Sequence, residues 1–377
     1  MRIFGVVLLA AIFGGGGFWV YNNYFSGAPQ KRQPQIGPQK VIKSPKMEPV
    51  EQNKTDVPAQ TPKHASAEAK PTLKEVKEPQ IAVMPPPEPP QNEKAQTEQT
   101  KTSPKKVSDN ELFERLKGML AEKDDAKLWK KLQGVLKETP QWLNACERLG
   151  KELLKERRFI AWVLLSHAYR HLQDENRREA LRKTLTQISG DLFYSFRPTP
   201  ASIYHNVMPG DTLSSIQNDY VVPYPLIMRI NGLTSTSIRI GQRLKIPVPP
   251  QSKRMNAFVQ VDKSEHTLSV FVSGLFVKCF KVGLGAEDRT PKGAYTIVSK
   301  VAHPSWRGFP YGHPKNIIGD WWLGLSGGGV MGIGIHGTND PKSVGKDVSK
   351  GCVRMLNKDV AELATTVPRG TKVEIRD

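Results

Sequence analysis

The chain opens on an uncharged run. No Asp, Glu, Lys, Arg or His falls between Ile3 and Tyr21, and about 19 such residues would cross a hydrocarbon core as a helix. Arg2 precedes the run, and Trp19, Tyr21 and Tyr24 stand at its far end like interfacial aromatics. Residues 1–25 therefore read as a transmembrane signal anchor with its carboxyl end outward, or as a cleaved signal peptide. Gly14–Gly17 weaken a helix on propensity, but a bilayer satisfies no backbone group and leaves helix as the option there.

Across residues 26–107 every period is lost. Pro, Lys, Gln, Glu and Thr dominate, with the knot Pro85-Pro86-Pro87-Glu88-Pro89-Pro90, and the segment reads as a disordered linker, part polyproline II, able to reach on the order of 200 Å. A helical period resumes after the N-cap cluster Ser108-Asp109-Asn110. Its stripes are Leu112, Leu116, Met119 and Leu120; Leu128, Leu132, Val135 and Leu136; Trp142, Cys146, Leu149 and Leu153; Ile160, Val163, Leu164 and Tyr169; Leu181, Leu185 and Ile188. Punctuated by Pro140 and Gly190, they predict four or five short antiparallel helices over 108–198, an all-α segment with no fixed repeat and an unknown partner.

Residues 203–249 change texture. A short strand at Tyr204–Val207 runs into Pro209-Gly210, and Asp211 is placed to cap a helix carrying Leu213, Ile216 and Tyr220. A second helix over 225–230 ends at Asn231-Gly232, and 242–247 reads as a closing strand, completing a βααβ unit. From residue 256 to 377 the period is two: Phe258–Val261, Thr267–Val272 and Phe276–Val282 predict a meander of antiparallel strands and a mainly-β domain.

Composition sharpens this picture. Half of the 30 prolines in the 377 residues lie between Ser26 and Asp109, which excludes one compact globule, a polytopic membrane protein and a collagen-like rod. A formal charge of +19 asks for an anionic partner. The charges form no aromatic-interleaved patch, so nucleic acid is disfavoured. Three cysteines cannot pair completely. Cys146 and Cys279 sit on apolar stripes and read as packing. Cys352 differs: Lys350 and Arg354 flank it and favour its thiolate, and Gly351 removes bulk beside the sulfur. His336, at the end of a buried strand, is its candidate general base. His303 and His313 lie in a Pro/Gly-rich stretch without carboxylates or cysteines at ligand spacing, so no metal and no cofactor is expected; that stretch reads as a lid, with Tyr311 and Trp322 as apolar walls.

Two resemblances add to these readings. GDTLSSIQNDY, LIMRINGL and IRIGQRLKIP are similar to a LysM module, which implies binding of N-acetylglucosamine-containing glycan strands at two loops, here Gly210, Asp211 and Thr212 with Asn231, Gly232 and Leu233. IGIHGT and SKGCVRM, with TPKGAYTI upstream, resemble the active-site signature of YkuD-type L,D-transpeptidases. That likeness implies Cys352 as nucleophile, His336 as base, Gly337 as the carbonyl that orients the histidine, and Arg354, Ser349, Lys350 and Gly351 as substrate-binding or oxyanion groups. Lys350 replaces a histidine common at that position and carries no imidazole role.

The expected chain is multidomain: transmembrane helix, disordered linker, all-α segment, LysM module and mainly-β L,D-transpeptidase domain. The family implies a bacterial enzyme in the cytoplasmic membrane with its carboxyl-terminal domains in the periplasm or wall, or one secreted after cleavage. It would join peptidoglycan stem peptides by a 3→3 cross-link, or act as a carboxypeptidase, an exchange or protein-anchoring enzyme, or a non-catalytic wall binder.

Overall fold

The computed structural model describes residues 107–329 and 331–377; residues 1–106, with the anticipated membrane segment and linker, lie outside them. The expectation of a single-pass membrane protein is corrected here: among the described residues no helix is long and apolar enough to cross a membrane. The longest, of 18 residues, is charged along much of its length, and the most deeply buried has only 14, about 21 Å of rise against a hydrocarbon core of about 30 Å.

Five helices come first among the described residues: α1 (Asp109–Gly118), α2 (Asp125–Val135), α3 (Pro140–Glu152), α4 (Arg158–His171) and α5 (Glu175–Leu192). Local chemistry starts most of them. Ser108, Asp124 and Asp174 accept from first-turn N–H groups, and Pro140 opens α3 where its missing donor costs nothing. Gly190 does not stop a helix, because α5 runs past it to Leu192.

α4 is buried almost all round, because α3 covers one side and a β-sheet the other. The sheet is built from β3 (Ala257–Asp262), β4 (Thr267–Val272), β5 (Leu275–Lys281), β7 (Gly293–Ala302), β8 (Trp321–Gly327), β9 (Gly334–His336), β11 (Val353–Arg354) and β12 (Lys372–Arg376). Their order is β11-β9-β8-β7-β12-β3-β4-β5. β11 runs parallel to β9 and β12 parallel to β3; the other neighbours are antiparallel. A small parallel pair, β6 (Leu284–Gly285) and β10 (Asp347–Ser349), stands beside it.

β5 is an edge strand, and its outward backbone groups would be unpaired. The helices satisfy them. Trp162 Nε1 donates to Phe276 O at 2.8 Å, Phe276 N donates to Ser166 Oγ at 3.0 Å, and Ser189 Oγ donates to Val277 O at 2.7 Å. Arg178, 1% exposed, reaches through this interface. It pairs with Glu265, donates to Tyr169 O at 3.0 Å and lies 3.2 Å from Asp262. The helical segment and the sheet thus share one core.

Between them sits the βααβ unit: β1 (Ile203–Asn206) and β2 (Arg243–Ile246) pair antiparallel around α6 (Leu213–Tyr220) and α7 (Tyr224–Ile230). The cap of α6 is Thr212, in a reciprocal box with Ser215, rather than the anticipated Asp211. Asp211 is occupied elsewhere, accepting from Met208 N at 2.7 Å and meeting His205 at 2.8 Å. Buried Lys245 on β2 donates to Leu192 O and Ser195 O at 2.6 and 2.8 Å, closing the carboxyl end of α5. From α7, Arg229 pairs with Glu362 at 2.7 Å on α8 (Asn357–Thr366), which covers one face of the sheet.

Removing the buried cation should cost more than any surface change. Arg178→Ala leaves Asp262 and Glu265 short of their partner, and urea unfolding should show a loss of about 3–5 kcal/mol. A loss under about 1 kcal/mol would mean that solvent reaches the cluster.

Candidate active site

The register of two short strands assembles the site. β11 pairs with β9 so that Arg354 lies beside His336 and Val353 beside Ile335. Side chains alternate along a strand. Val353 and Ile335, both 0% exposed, therefore occupy the core face under α8, and Cys352, Arg354, Gly334 and His336 share the other face. The loop before Cys352 thus folds back beside the strand that ends in the histidine. Trp322 on β8 sits opposite His336 and stacks on it, ring centroids 5.8 Å apart.

His336 is 5% exposed. Its Nδ1 lies 2.5 Å from Gly337 O, and a carbonyl only accepts, so Nδ1 carries the proton and Nε2 is left as the acceptor. Burial pulls its pKa down to about 4, with help from the Arg354 guanidinium and against the Gly337 and Ile318 carbonyls. The imidazole is therefore neutral near pH 7. Burial also pushes the Cys352 thiol above the ordinary value, although the Gly334 N–H and Arg354 pull the other way. This departs from the expectation of a thiolate favoured by basic neighbours: desolvation outweighs the charge of Arg354, and Lys350 is exposed. Cys352 Sγ lies 3.8 Å from Gly332 O in the glycine-rich β8–β9 turn.

The loop residues divide in their tasks. Ser349 is buried; its hydroxyl donates to Cys352 O at 2.7 Å and accepts from Gly351 N at 3.1 Å. That commits Ser349 to shaping the loop and removes the Gly351 N–H from the possible oxyanion donors. Gly351 has φ +131°, and a Cβ there would come within 2.9 Å of Arg289 O, so no other residue fits. Arg354 Nε is buried without a partner. Tyr311, on the long β7–β8 loop, is exposed and donates to Asp320 at 3.0 Å. His303 tilts against the Tyr311 ring and His313 stacks on Phe309; neither joins a group able to hold a metal among the described residues.

Asn357, the first residue of α8, escapes a reading of the sequence. Its place at a helix start reads as capping, yet its Oδ1 accepts from Thr338 N at 3.0 Å and Asp320 N at 3.4 Å. A Cβ on Gly337 would lie 2.2 Å from that oxygen, so the amide presses directly on the residue whose carbonyl holds His336.

In the βααβ unit, Gly232 and Leu233 line a groove of about 620 Å³ with the loop before β2. Gly210 and Thr212 are exposed at the other loop. Asn231 is used internally: it donates to Ile227 O and Lys245 O and accepts from Lys245 N at 2.7 Å. Like Asp211, it has its polar atoms engaged within the fold.

Comparison with known proteins gives two family matches. The family model of the L,D-transpeptidase catalytic domain, YkuD, matches residues 256–375, and that of the LysM domain matches 205–247. The chain is similar to the putative L,D-transpeptidase YkuD of Bacillus subtilis, 36% identical over 172 residues that cover 45% of this chain and 97% of that protein. It is also similar to the putative L,D-transpeptidase YqjB of that species, 38% identical over 125 residues, 32% of this chain and 71% of the other. Among solved structures, an L,D-transpeptidase from Mycobacterium smegmatis aligns over 37% of this chain and 65% of that one, at 17% identity and a TM-score of 0.28.

Two outcomes test the site. Iodoacetamide labelling of Cys352 should keep rising beyond about pH 9, without the plateau of a low-pKa thiolate. Cys146, pushed up to about 12 by burial, should label more slowly throughout; a Cys352 plateau below about pH 7 contradicts the assignment. Asn357→Ala should lower turnover roughly ten- to a hundred-fold and disturb the His336 Nδ1–H resonance, whereas Asn357→Asp, which keeps an acceptor oxygen, should restore both. Equal loss in the two variants, or an unchanged resonance, removes Asn357 from the positioning of the base.

Proposed function

The chain belongs to the YkuD-type L,D-transpeptidase family, and from that premise we propose that it forms 3→3 cross-links between peptidoglycan stem peptides through a thioester on Cys352. The observation that carries the reading is the shared face of Cys352, His336 and Arg354, with the imidazole held in the tautomer a general base needs.

The steps follow from that tautomer. A tetrapeptide stem brings the carbonyl of its third residue to Cys352 Sγ. His336 Nε2 takes the thiol proton as the S–C bond forms, so the nucleophile is generated only in the presence of substrate. This suits a resting pair in which both groups are neutral. With the Gly351 N–H engaged by Ser349, the N–H groups of Lys350 and Cys352 are the loop donors left to face the oxyanion. The C–N bond to the terminal D-alanine breaks, and the imidazolium returns its proton to the departing amine. An amine of a second stem then attacks the thioester, passes its proton to His336 and releases the thiol in the same protonation state as at the start. Arg354, with its Nε unpartnered, is the group to receive a substrate carboxylate or to hold the loop against it. The LysM domain adds peptidoglycan binding, and the positive charge of the chain suits a polymer rich in carboxylates.

Muropeptide mass spectrometry with the purified chain tests this reading. Tetrapeptide stems should yield a dimer with loss of one D-alanine per bond. Cys352→Ser should reduce the dimer at least about 1000-fold while glycan binding stays unchanged. Monomers shortened by hydrolysis, or stems with an exchanged terminal residue, would assign the acceptor to water or to a free amino acid.

A further inference from the structure

Parity across the sheet gives the helical segment a place beside the substrate. Trp322, Gly324 and Ser326 on β8 alternate onto the face of Cys352 and His336, because Trp322 lies opposite His336. Ser326 lies opposite Thr296 on β7, and Thr296 opposite Lys372 on β12. The register shift between Ile297 and Ser299 preserves this order: Ser299 still meets Gly324, where a Cβ would lie 2.5 Å from its hydroxyl. The catalytic face therefore continues from Cys352 across to Lys372 and Glu374. Four strand steps separate β11 from β12, about 19 Å at ordinary strand spacing.

At that far end a cavity of about 550 Å³ opens. Thr296, Lys372 and Glu374 line it, and Phe258 and Arg170 wall it. Arg170 comes from the last turn of α4, so the helical segment supplies one side. Its guanidinium lies 4.1 Å over the Phe258 ring, and its Nε is buried without a partner. Lys372 Nζ donates at 3.1 Å to the neutral Thr296 hydroxyl. Glu374, the one carboxylate in the lining, already accepts from Gln260 at 3.0 Å. Burial lowers the Arg170 pKa, and Glu374 and Glu138 offset part of that. Two cations thus outnumber one engaged carboxylate in a cleft with an aromatic wall, a setting that favours an anion with an apolar stem.

Resting on the L,D-transpeptidase reading, we infer that this cavity binds a carboxylate of the acceptor stem, with Arg170 and Lys372 as its donors. Reach selects the acceptor over the donor. A donor held by its third residue has two residues upstream, about 7 Å of extended chain, which falls well short of 19 Å. An acceptor that attacks through a side-chain amine adds that side chain, about 6 Å, to about 7 Å of backbone, and the exposed Lys372 side chain, about 6 Å long, reaches across the remainder. The remote contact orients the incoming amine against the thioester without touching the reacting atoms.

Steady-state kinetics with the full chain separates the two stems. In Lys372→Ala and in Arg170→Ala the acceptor KM should rise roughly ten-fold, the worth of one charge-assisted hydrogen bond. Acylation, read as D-alanine release in the burst, should stay within about two-fold of wild type. Wild type should also prefer an acceptor with free carboxylates over its amidated form, and the double variant should not. Lys372 is exposed, so its variant keeps the test clear of any loss of folding at Arg170. An unchanged acceptor KM in Lys372→Ala overturns the site, and a fall in acylation moves the carboxylate to the donor. Absence of D-alanine release from wild type would instead sink the transpeptidase reading, and with it the acceptor assignment.

Discussion

The parallel pairing of β9 with β11 is the constraint on which the rest depends. Two residues on β11 and three on β9 are too short to hold a sheet edge by themselves. Yet a slip of one residue would turn Cys352 toward the core and Val353 toward solvent. The surroundings oppose that slip from several sides. Val353 and Ile335 are fully buried under α8, Ser349 ties its loop to the Cys352 carbonyl, and Gly283 exchanges backbone hydrogen bonds with Arg354 at 2.8 Å each way. Asn357 then fixes the turn that follows the histidine.

The same burial that secures the register sets the chemistry. A histidine held to about 4 cannot form an ion pair with a thiolate at neutral pH, so Arg354 is the cation left to act on the sulfur. At rest, both the thiol and the imidazole of such a centre are neutral. The burial of His336 and the stacked Trp322 belong to one arrangement: the indole covers one face of the imidazole.

Local features were legible in the sequence. Ser108 announced its helix because capping acts within one turn, Pro140 marked a boundary between helices, and the strands from Phe258 to Val282 followed from alternation. The family motifs at His336 and Cys352 were equally plain. Gly190 misled because glycine lowers helix propensity by only about 1 kcal/mol, which packing overrides. At Asp211 and Thr212 two capping residues stood side by side, and the choice between them turned on His205, a partner across the fold. Asn231 and Asn357 were obscured for the same reason: an amide advertises neither the loop nor the strand it will hold. The docking of α4 and α5 on β5 left no local mark, since Trp162 and Phe276 are 114 positions apart.

The βααβ module has a bearing as well as a grip. Lys245 plugs it into the end of α5, and Arg229 pins it to the helix that backs the catalytic sheet. A module joined by a flexible spacer would raise the local concentration of wall without favouring any direction. Held at both α5 and α8, this one keeps a single bearing on the sheet that carries Cys352 and His336, so its loops cannot swing independently of that sheet.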